Sequence, residues 1–331
     1  MEIQKVKILV IRFSSIGDIV LTTPVLRCLK QQLEGEVELH YLTKKQYRTV
    51  VAHNPYISKI YTIEKSTNEV IADLKLENFD YIVDLHKNLR SRRVISTLKV
   101  LSFTFDKLNI EKWLLTNFKI NRLPKIHIVD RYFAALKSFG ILNDEKGLDY
   151  FIASGDRVNI SDLPDVHQKG YVAFAIGGQH EGKKLPKNKL IEICQKIKYP
   201  IVLLGGNEDH SVGEAIVDET DGQVFNACGK FSINQSASLL EQANCVVTHD
   251  TGLMHIAAAF KKKIVSLWGC TSPDFGMYPY FPDPRSVIIE PNHLTKRPCS
   301  KLGDKCSYGN FKCAKEINIS SIVAAVHKLI E

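Results

Sequence analysis

The chain has 331 residues, with 44 Lys+Arg against 36 Asp+Glu for a formal charge of +8, and it is 44% hydrophobic and 24% charged. These are the proportions of an ordinary globular protein of two domains, which excludes a disordered or fibrous chain. No run approaches the ~18 apolar residues of a membrane-crossing helix, and Met1–Ile11 carries Glu2, Lys5 and Lys7 with too short an apolar run for a secretory leader, so a cytoplasmic chain is expected.

Taken in chain order, short apolar runs predict strands at Lys7–Arg12, Val37–Leu42, Tyr81–Leu85, Tyr171–Ile176, Ile201–Leu204, Cys245–Thr248 and Ile264–Leu267. Helical spacing fills the gaps at Pro24–Leu33, Val129–Phe139, Lys187–Ile197, Ile233–Gln242 and Leu253–Phe260, with a last helix at Ile319–Ile330. Strands that alternate with helices imply α/β domains built on parallel sheets with right-handed crossovers. The polar stretch Ala153–Gly170 lacks periodicity and marks the boundary, which gives domains at 1–160 and 161–331. Two such domains leave a cleft between them, and ligands of open α/β sheets bind beyond the carboxyl ends of the strands.

Four of those strand ends carry chemistry. The first runs into Arg12-Phe13-Ser14-Ser15-Ile16-Gly17-Asp18. By spacing alone Asp18 is first a helix N-cap, and second a carboxylate free to act as a general base. The second is Gly177-Gly178-Gln179-His180-Glu181-Gly182-Lys183-Lys184, which fits a P-loop up to its lysine but has Lys184 where that loop needs Ser or Thr for Mg²⁺. Lys183 remains able to meet a phosphate as a point charge. The third, Gly205-Gly206-Asn207-Glu208, offers Glu208 either as a solvated acid or as an acceptor for ribose hydroxyls.

The fourth is the strongest. Val246–Ala259 reads as a strand, an Asp250-Thr251-Gly252 turn and a helix that opens at Leu253 and carries His255. A helix N-terminus behind such a turn suits a diphosphate. Gly269–Pro273, with Thr271, adds small polar groups after the next strand. A separate basic run, Lys87, Arg90, Arg92 and Arg93, follows the Tyr81–Leu85 strand and suits phosphate-bearing partners or an acidic membrane surface as well as it suits a solvated face.

These segments together resemble glycosyltransferase family nine, the ADP-heptose:lipopolysaccharide heptosyltransferases. The matching stretches are Ile8–Leu29, Gly177–Pro186, Leu204–Glu208, Asp250–Ala259 and Gly269–Pro273, and the Pro298–Cys313 tail is similar to cysteine-bearing tails of some members. The resemblance implies a GT-B architecture: two Rossmann-like domains facing a central cleft, the first for acceptor and the second for donor, with a last helix that could pack on either domain and in the family commonly crosses back to the first. It implies inverting, metal-independent transfer of heptose from ADP-heptose to the lipopolysaccharide inner core, with no cofactor and with peripheral contact at the inner membrane allowed.

Carried over residue by residue, the resemblance makes Asp18 the base that deprotonates the acceptor hydroxyl, a role compatible with capping. Lys183 would stabilise the departing diphosphate, with Lys184 as its substitute. Glu208 would hold the ribose, and Gly178, Asp250, Thr251, Gly252, Leu253, His255 and Thr271 would line the donor. Ser15, Gly17, Lys87, Arg90 and Arg93 are the acceptor candidates. The rival readings are the same fold with another nucleotide sugar for a different surface glycan, and a non-catalytic nucleotide-sugar binder. A nucleic-acid binder is disfavoured because basic residues do not interleave with aromatics. A dinucleotide dehydrogenase is disfavoured because G-x-G-x-x-G is missing.

The eight cysteines fit a reducing compartment. Cys28, Cys194, Cys228, Cys245 and Cys270 read as single buried thiols. Cys299, Cys306 and Cys313 lack the tight pairing of a zinc ribbon, and only His293 and His327 offer a fourth ligand. A structural loop, with no metal, is the expectation there.

Overall fold

The computed structural model describes residues 5–331; Met1–Gln4, where the leader reading begins, lie outside them. The chain divides into two compact units, residues 1–107 with 126–151, and residues 108–125 with 152–331. In chain order the first unit supplies β1 (Lys5–Ile11), α1 (Ile16–Val20), α2 (Thr23–Gln32), β2 (Glu36–Lys44), α3 (Arg48–Val51), β3 (Lys59–Ile63), α4 (Asn68–Leu76), β4 (Tyr81–Asp84), α5 (Leu89–Leu98) and β5 (Leu101–Thr104). Helix α6 (Asn109–Phe118) belongs to the second unit, and α7 (Ile128–Phe133) returns to the first.

The first sheet has the order β3-β2-β1-β4-β5, all parallel. The order in which strands are added reverses between β1 and β4, whose last residues, Ile11 and Asp84, are paired in parallel. A doubly wound sheet opens a crevice at that switch point, beyond the carboxyl ends of the two strands. The Asp18 loop follows one of them and Lys87 follows the other. β1 is buried from Ile8 to Ile11, as a central strand covered on both faces must be. Leu9, Ile11, Leu42, Ile63 and Ile82 share one core with Val70, Leu74 and Val94 of the covering helices.

The second unit continues with α8 (Asp165–Gln168), β6 (Val172–Ala175), α9 (Lys187–Lys196), β7 (Ile201–Leu204), α10 (His210–Asp218), β8 (Val224–Asn226), α11 (Ile233–Gln242), β9 (Cys245–His249), α12 (Gly252–Ala259), β10 (Ile264–Leu267), β11 (Val287–Ile289), α13 (Lys312–Lys315) and α14 (Ile319–Ile330). Its sheet runs β11-β10-β9-β6-β7-β8, again all parallel, with the switch point between β6 and β9, where Ala175 pairs Thr248. The Gly177–Lys184 and Asp250–Gly252 loops leave these two strands.

Strands β3, β5, β8 and β11 and helices α4, α5, α6 and α10 lie outside the elements expected from the sequence, and two expected elements are built differently. The helix expected at Val129–Phe139 is α7 followed by a 3-10 stretch, Ala134–Phe139, that ends at Gly140 with φ 69°. The last helix does not cross back: Ile322, Val326 and Leu329 of α14 sit in the second unit's core with Val265 and Leu267. The hydrophobic stripe of α14 satisfies itself on the sheet nearest in sequence. No helix among the described residues is long and apolar enough to cross a membrane.

Candidate active site

After β1 the chain turns into α1 with Ser15 as N-cap, in an extended conformation. Asp18 reaches back, and its Oδ2 accepts from the Ser15 backbone N–H at 3.1 Å and from Ser15 Oγ at 3.0 Å. Its other oxygen, Oδ1, stands 2.5 Å from Arg12 Nη2. Arg12 is buried and anchored, since Nε donates to the Ser14 carbonyl at 3.1 Å and Nη1 to the Leu85 carbonyl. Burial alone would lower the pKa of Arg12, but the Asp18 carboxylate, followed by weaker neighbours, more than offsets it and raises the pKa. Cap and ion pair thus hold one carboxylate in one orientation, its side chain 23% exposed.

Ser15 takes the N-cap position that the sequence reading gave to Asp18, and Asp18, the third residue of α1, closes the capping box from inside the helix. Ser15 serves it directly, and Gly17 is buried inside α1. Across the switch point, Asp84 organises the β4 loop: it accepts from the backbone of His86 at 2.9 Å and Lys87 at 2.8 Å, and from Ser91 Oγ at 2.6 Å. Asn88 and Ser91 close a capping box on α5, a helix the sequence presents only as a basic run. Lys87 donates to the Phe105 carbonyl at 2.8 Å. Arg90 and Arg93 are exposed on α5. His86 packs edge-on against Phe13 at 5.2 Å, and burial beside Arg12 drives its pKa down to about 3.

In the second unit, α12 starts at Gly252 with Thr251 as its extended N-cap. Lys183 Nζ lies 2.8 Å from Asp250 Oδ2 and donates to the Asp250 carbonyl at 3.0 Å. Lys184 pairs instead with Glu181, at 2.5 Å. A Cβ on Gly178 would lie 3.1 Å from Lys184 Cγ and 3.6 Å from the Thr251 methyl, so these three residues share one spot. Thr271 is buried with no hydrogen-bond partner for its Oγ1. The loop that carries it is pinned by Arg297, whose guanidinium donates to the carbonyls of Trp268, Gly269 and Thr271 and pairs with Glu290 at 3.0 Å. Leu253 is half-buried and His255 buried on α12.

Glu208 stands exposed on a 3-10 turn after β7. Its neighbour Asp209, not singled out in the sequence, is buried and accepts from the Gly206 N–H at 3.0 Å. Burial raises its pKa. A Cβ on Gly177 would fall 2.4 Å from Asp209 Oδ2, so the chain leaving β6 tolerates only glycine there. His249, also missed, is fully buried at the end of β9. Its Nε2 accepts from the Leu185 N–H at 3.1 Å, which leaves Nδ1–H to donate to the Gly177 carbonyl at 3.4 Å. Burial lowers its pKa to about 4, and a neutral imidazole therefore ties the end of β9 to the loop after β6. A polar residue closing an apolar strand was the signal for it in the sequence.

The second unit therefore gathers a lysine, an aspartate, a threonine-capped helix N-terminus and an unsatisfied hydroxyl at one switch point. A helix N-terminus with a lysine beside it at a switch point is chemistry that suits an anion. The first unit presents a single oriented carboxylate at its own switch point. Two Rossmann-like units so equipped are the hallmark of a GT-B glycosyltransferase.

The family model of glycosyltransferase family 9 (heptosyltransferase) matches residues 68–308, and the chain belongs to that family and is a glycosyltransferase. It is similar to lipopolysaccharide heptosyltransferase 1 of Campylobacter coli, 24% identical over 291 residues that span 80% of this chain and 84% of the relative. In fold it is similar to a family 9 glycosyltransferase from Veillonella parvula (TM-score 0.80, 22% identity, 100% of this chain and 98% of the other). It is likewise similar to the ADP-heptose lps heptosyltransferase II of E. coli (TM-score 0.75, 20% identity, 98% of each chain).

Proposed function

We propose that this chain transfers heptose from ADP-heptose to the lipopolysaccharide inner core with inversion at the anomeric carbon. What supports the reading is family membership joined to one observation: Lys183, Asp250 and the N-terminus of α12 converge at the carboxyl ends of β6 and β9. The acceptor hydroxyl oxygen attacks the anomeric carbon, the carbon–oxygen bond to the diphosphate breaks, and ADP departs with the electron pair. Asp18 accepts the hydroxyl proton. Lys183 and the N–H groups of Gly252 and Leu253 offset the charge that grows on ADP, which leaves the transfer itself no need of a metal ion. Glu208 takes the ribose hydroxyls, Thr251, His255 and Thr271 the sugar and phosphates, and Gly178 lets the diphosphate approach the backbone.

Arg90 and Arg93 of α5, with Lys87 and Ser15, face the acceptor in this reading, which suits the phosphate-bearing core of a lipid embedded in the cytoplasmic leaflet of the inner membrane. The protein works there as a peripheral visitor, with no cofactor beyond the donor. The test is a transfer assay with ADP-heptose and an inner core truncated before its heptoses. Release of ADP with a gain of one heptose of inverted configuration is expected. Donor binding without transfer would leave a nucleotide-sugar binder, and transfer from a different nucleotide sugar would replace the donor.

A further inference from the structure

Four cysteines meet beside the donor loop. Cys270, Cys299, Cys306 and Cys313 bring their Sγ atoms within 4.8 Å of one another, and Cys299 and Cys313 are 3.4 Å apart, all as free thiols. The sequence shows three of them in a row; the fourth, taken there for an isolated buried thiol, arrives from the loop after β10. A metal ion with four bonds of about 2.3 Å to sulfur spaces those sulfurs about 3.8 Å apart, which is the scale found here.

The surroundings suit a charged cluster rather than an apolar one. Four thiolates around a divalent ion leave a net negative charge, and cations stand close by. Lys119 donates to the Pro298 carbonyl at 2.8 Å, and Arg297 donates to the carbonyl of Gly269, next to Cys270, at 2.7 Å. Lys296 and Lys312 lie over the Tyr308 ring. The apolar company is small, Leu294 with Tyr308 and Phe311. Between β11 and α14 the only helix is the single turn of α13. A segment with so little core gains order from a cross-link.

We propose that these four cysteines hold one thiophilic metal ion, zinc or iron, in a closed tetrahedral site that fastens residues 294–313 to the loop carrying Lys183. Four protein ligands leave no open position, so the ion is structural. The fastening is direct. Cys270 N–H donates to the Gly182 carbonyl at 2.8 Å, and Gly182 N–H donates to the carbonyl of Gly303, which lies between Cys299 and Cys306, at 3.0 Å. A Cβ on Gly182 would stand 2.4 Å from the Gly303 oxygen and 3.0 Å from Cys270 Sγ, so no larger residue fits between the two cysteine segments. Lys183 is the next residue. The fastening role rests on the donor-site reading of Lys183; the metal site itself does not.

The full-length chain, purified under reducing conditions and incubated with zinc or ferrous iron, is expected to retain one ion per chain by elemental analysis. Ferrous iron would show thiolate charge transfer in the near ultraviolet and turn coloured on oxidation by air to the ferric state, and zinc would be colourless until cobalt replaces it. Cys306→Ala, at the half-buried corner of the cluster, is expected to surrender the ion to a chromophoric chelator that the parent resists. Cys245→Ser, in β9 and outside the cluster, is expected to keep it. A parent protein that retains no ion with its thiols reduced, or a Cys306→Ala that holds it as firmly as the parent, would overturn the site. Hydrogen exchange reads the fastening separately: stripping the ion is expected to speed exchange at Gly182–Lys184 as well as at 294–313. Unchanged exchange at Gly182–Lys184 would overturn the fastening and leave the ion in place.

Discussion

Lys183 holds Asp250 at two points, its ammonium lying 2.8 Å from the carboxylate and 3.0 Å from the backbone carbonyl of the same residue. The pair is about four-fifths buried on the lysine side and more on the aspartate side, so it is screened less than a surface ion pair. Asp250 thereby parks the lysine at the N-terminus of α12, where a diphosphate would take over as its partner. Lys183→Ala should lower kcat by about 10²–10³-fold, the scale of losing one preorganised charge in the transition state. ADP affinity should also fall. Because the two residues act as a unit, Asp250→Asn and Lys183→Ala should combine to much less than the product of their separate effects. Multiplicative effects would separate their roles.

Asp18→Asn keeps an oxygen to accept from Ser15 and keeps the shape beside Arg12, but it cannot take a proton. Turnover should drop by about 10²–10⁴-fold with donor affinity little changed, and the thermal midpoint should fall because the buried Arg12 guanidinium loses its counter-charge. Asp18→Ala should lower stability further, since it removes one half of the Ser15–Asp18 capping box and also strands the buried guanidinium. Full turnover in the asparagine variant would remove Asp18 from proton transfer.

Gly177→Ala should destabilise the second unit and abolish donor binding, because the new methyl meets Asp209 Oδ2 at 2.4 Å and the Gly205 Cα at 3.3 Å. Gly155→Ala, with nothing within 4 Å, should be nearly silent in the same denaturation experiment. Equal midpoints for the two variants would show that the β6 loop gives way more easily than its packing implies.

His249 is protonated near its ordinary pKa when unfolded but only near 4 when folded. The unfolded state therefore binds more protons between these values, and stability is lost as pH falls through that window, by about 1.4 kcal/mol per pH unit for one such group. His86, held at about 3, extends the same trend to lower pH. Urea midpoints measured from pH 7 to 4 should fall more gently in His249→Gln than in the parent. Parallel slopes would show that other groups set the acid limit.

Arg90→Glu with Arg93→Glu should raise KM for a phosphorylated inner-core acceptor and leave KM for the donor unchanged, since both side chains are exposed on α5. A change confined to the donor would move this helix out of acceptor recognition.

Much of this was legible in the sequence because α/β units announce themselves: buried central strands read as continuous apolar runs, and the loops at both switch points carry glycine, aspartate and lysine. The edge strands β3, β5, β8 and β11 did not, since short, half-exposed strands lack the run. Helix α5 was hidden because its basic face looks like a charge run until the Asn88–Ser91 capping box is seen. Asp209 and His249 act through burial and partners brought together by the sheet, which no spacing encodes. Cys270 joined its three companions only when the β10 loop folded against the tail. Sequence proximity could not have paired them.

The most direct measurement is calorimetric titration of the protein with ADP-heptose beside ADP, UDP and GDP. Binding of ADP-heptose tighter than ADP, weakened by Lys183→Ala and absent for UDP and GDP, is the expected result. Preference for a uridine or guanosine nucleotide, or ADP-heptose binding indifferent to Lys183, would contradict it.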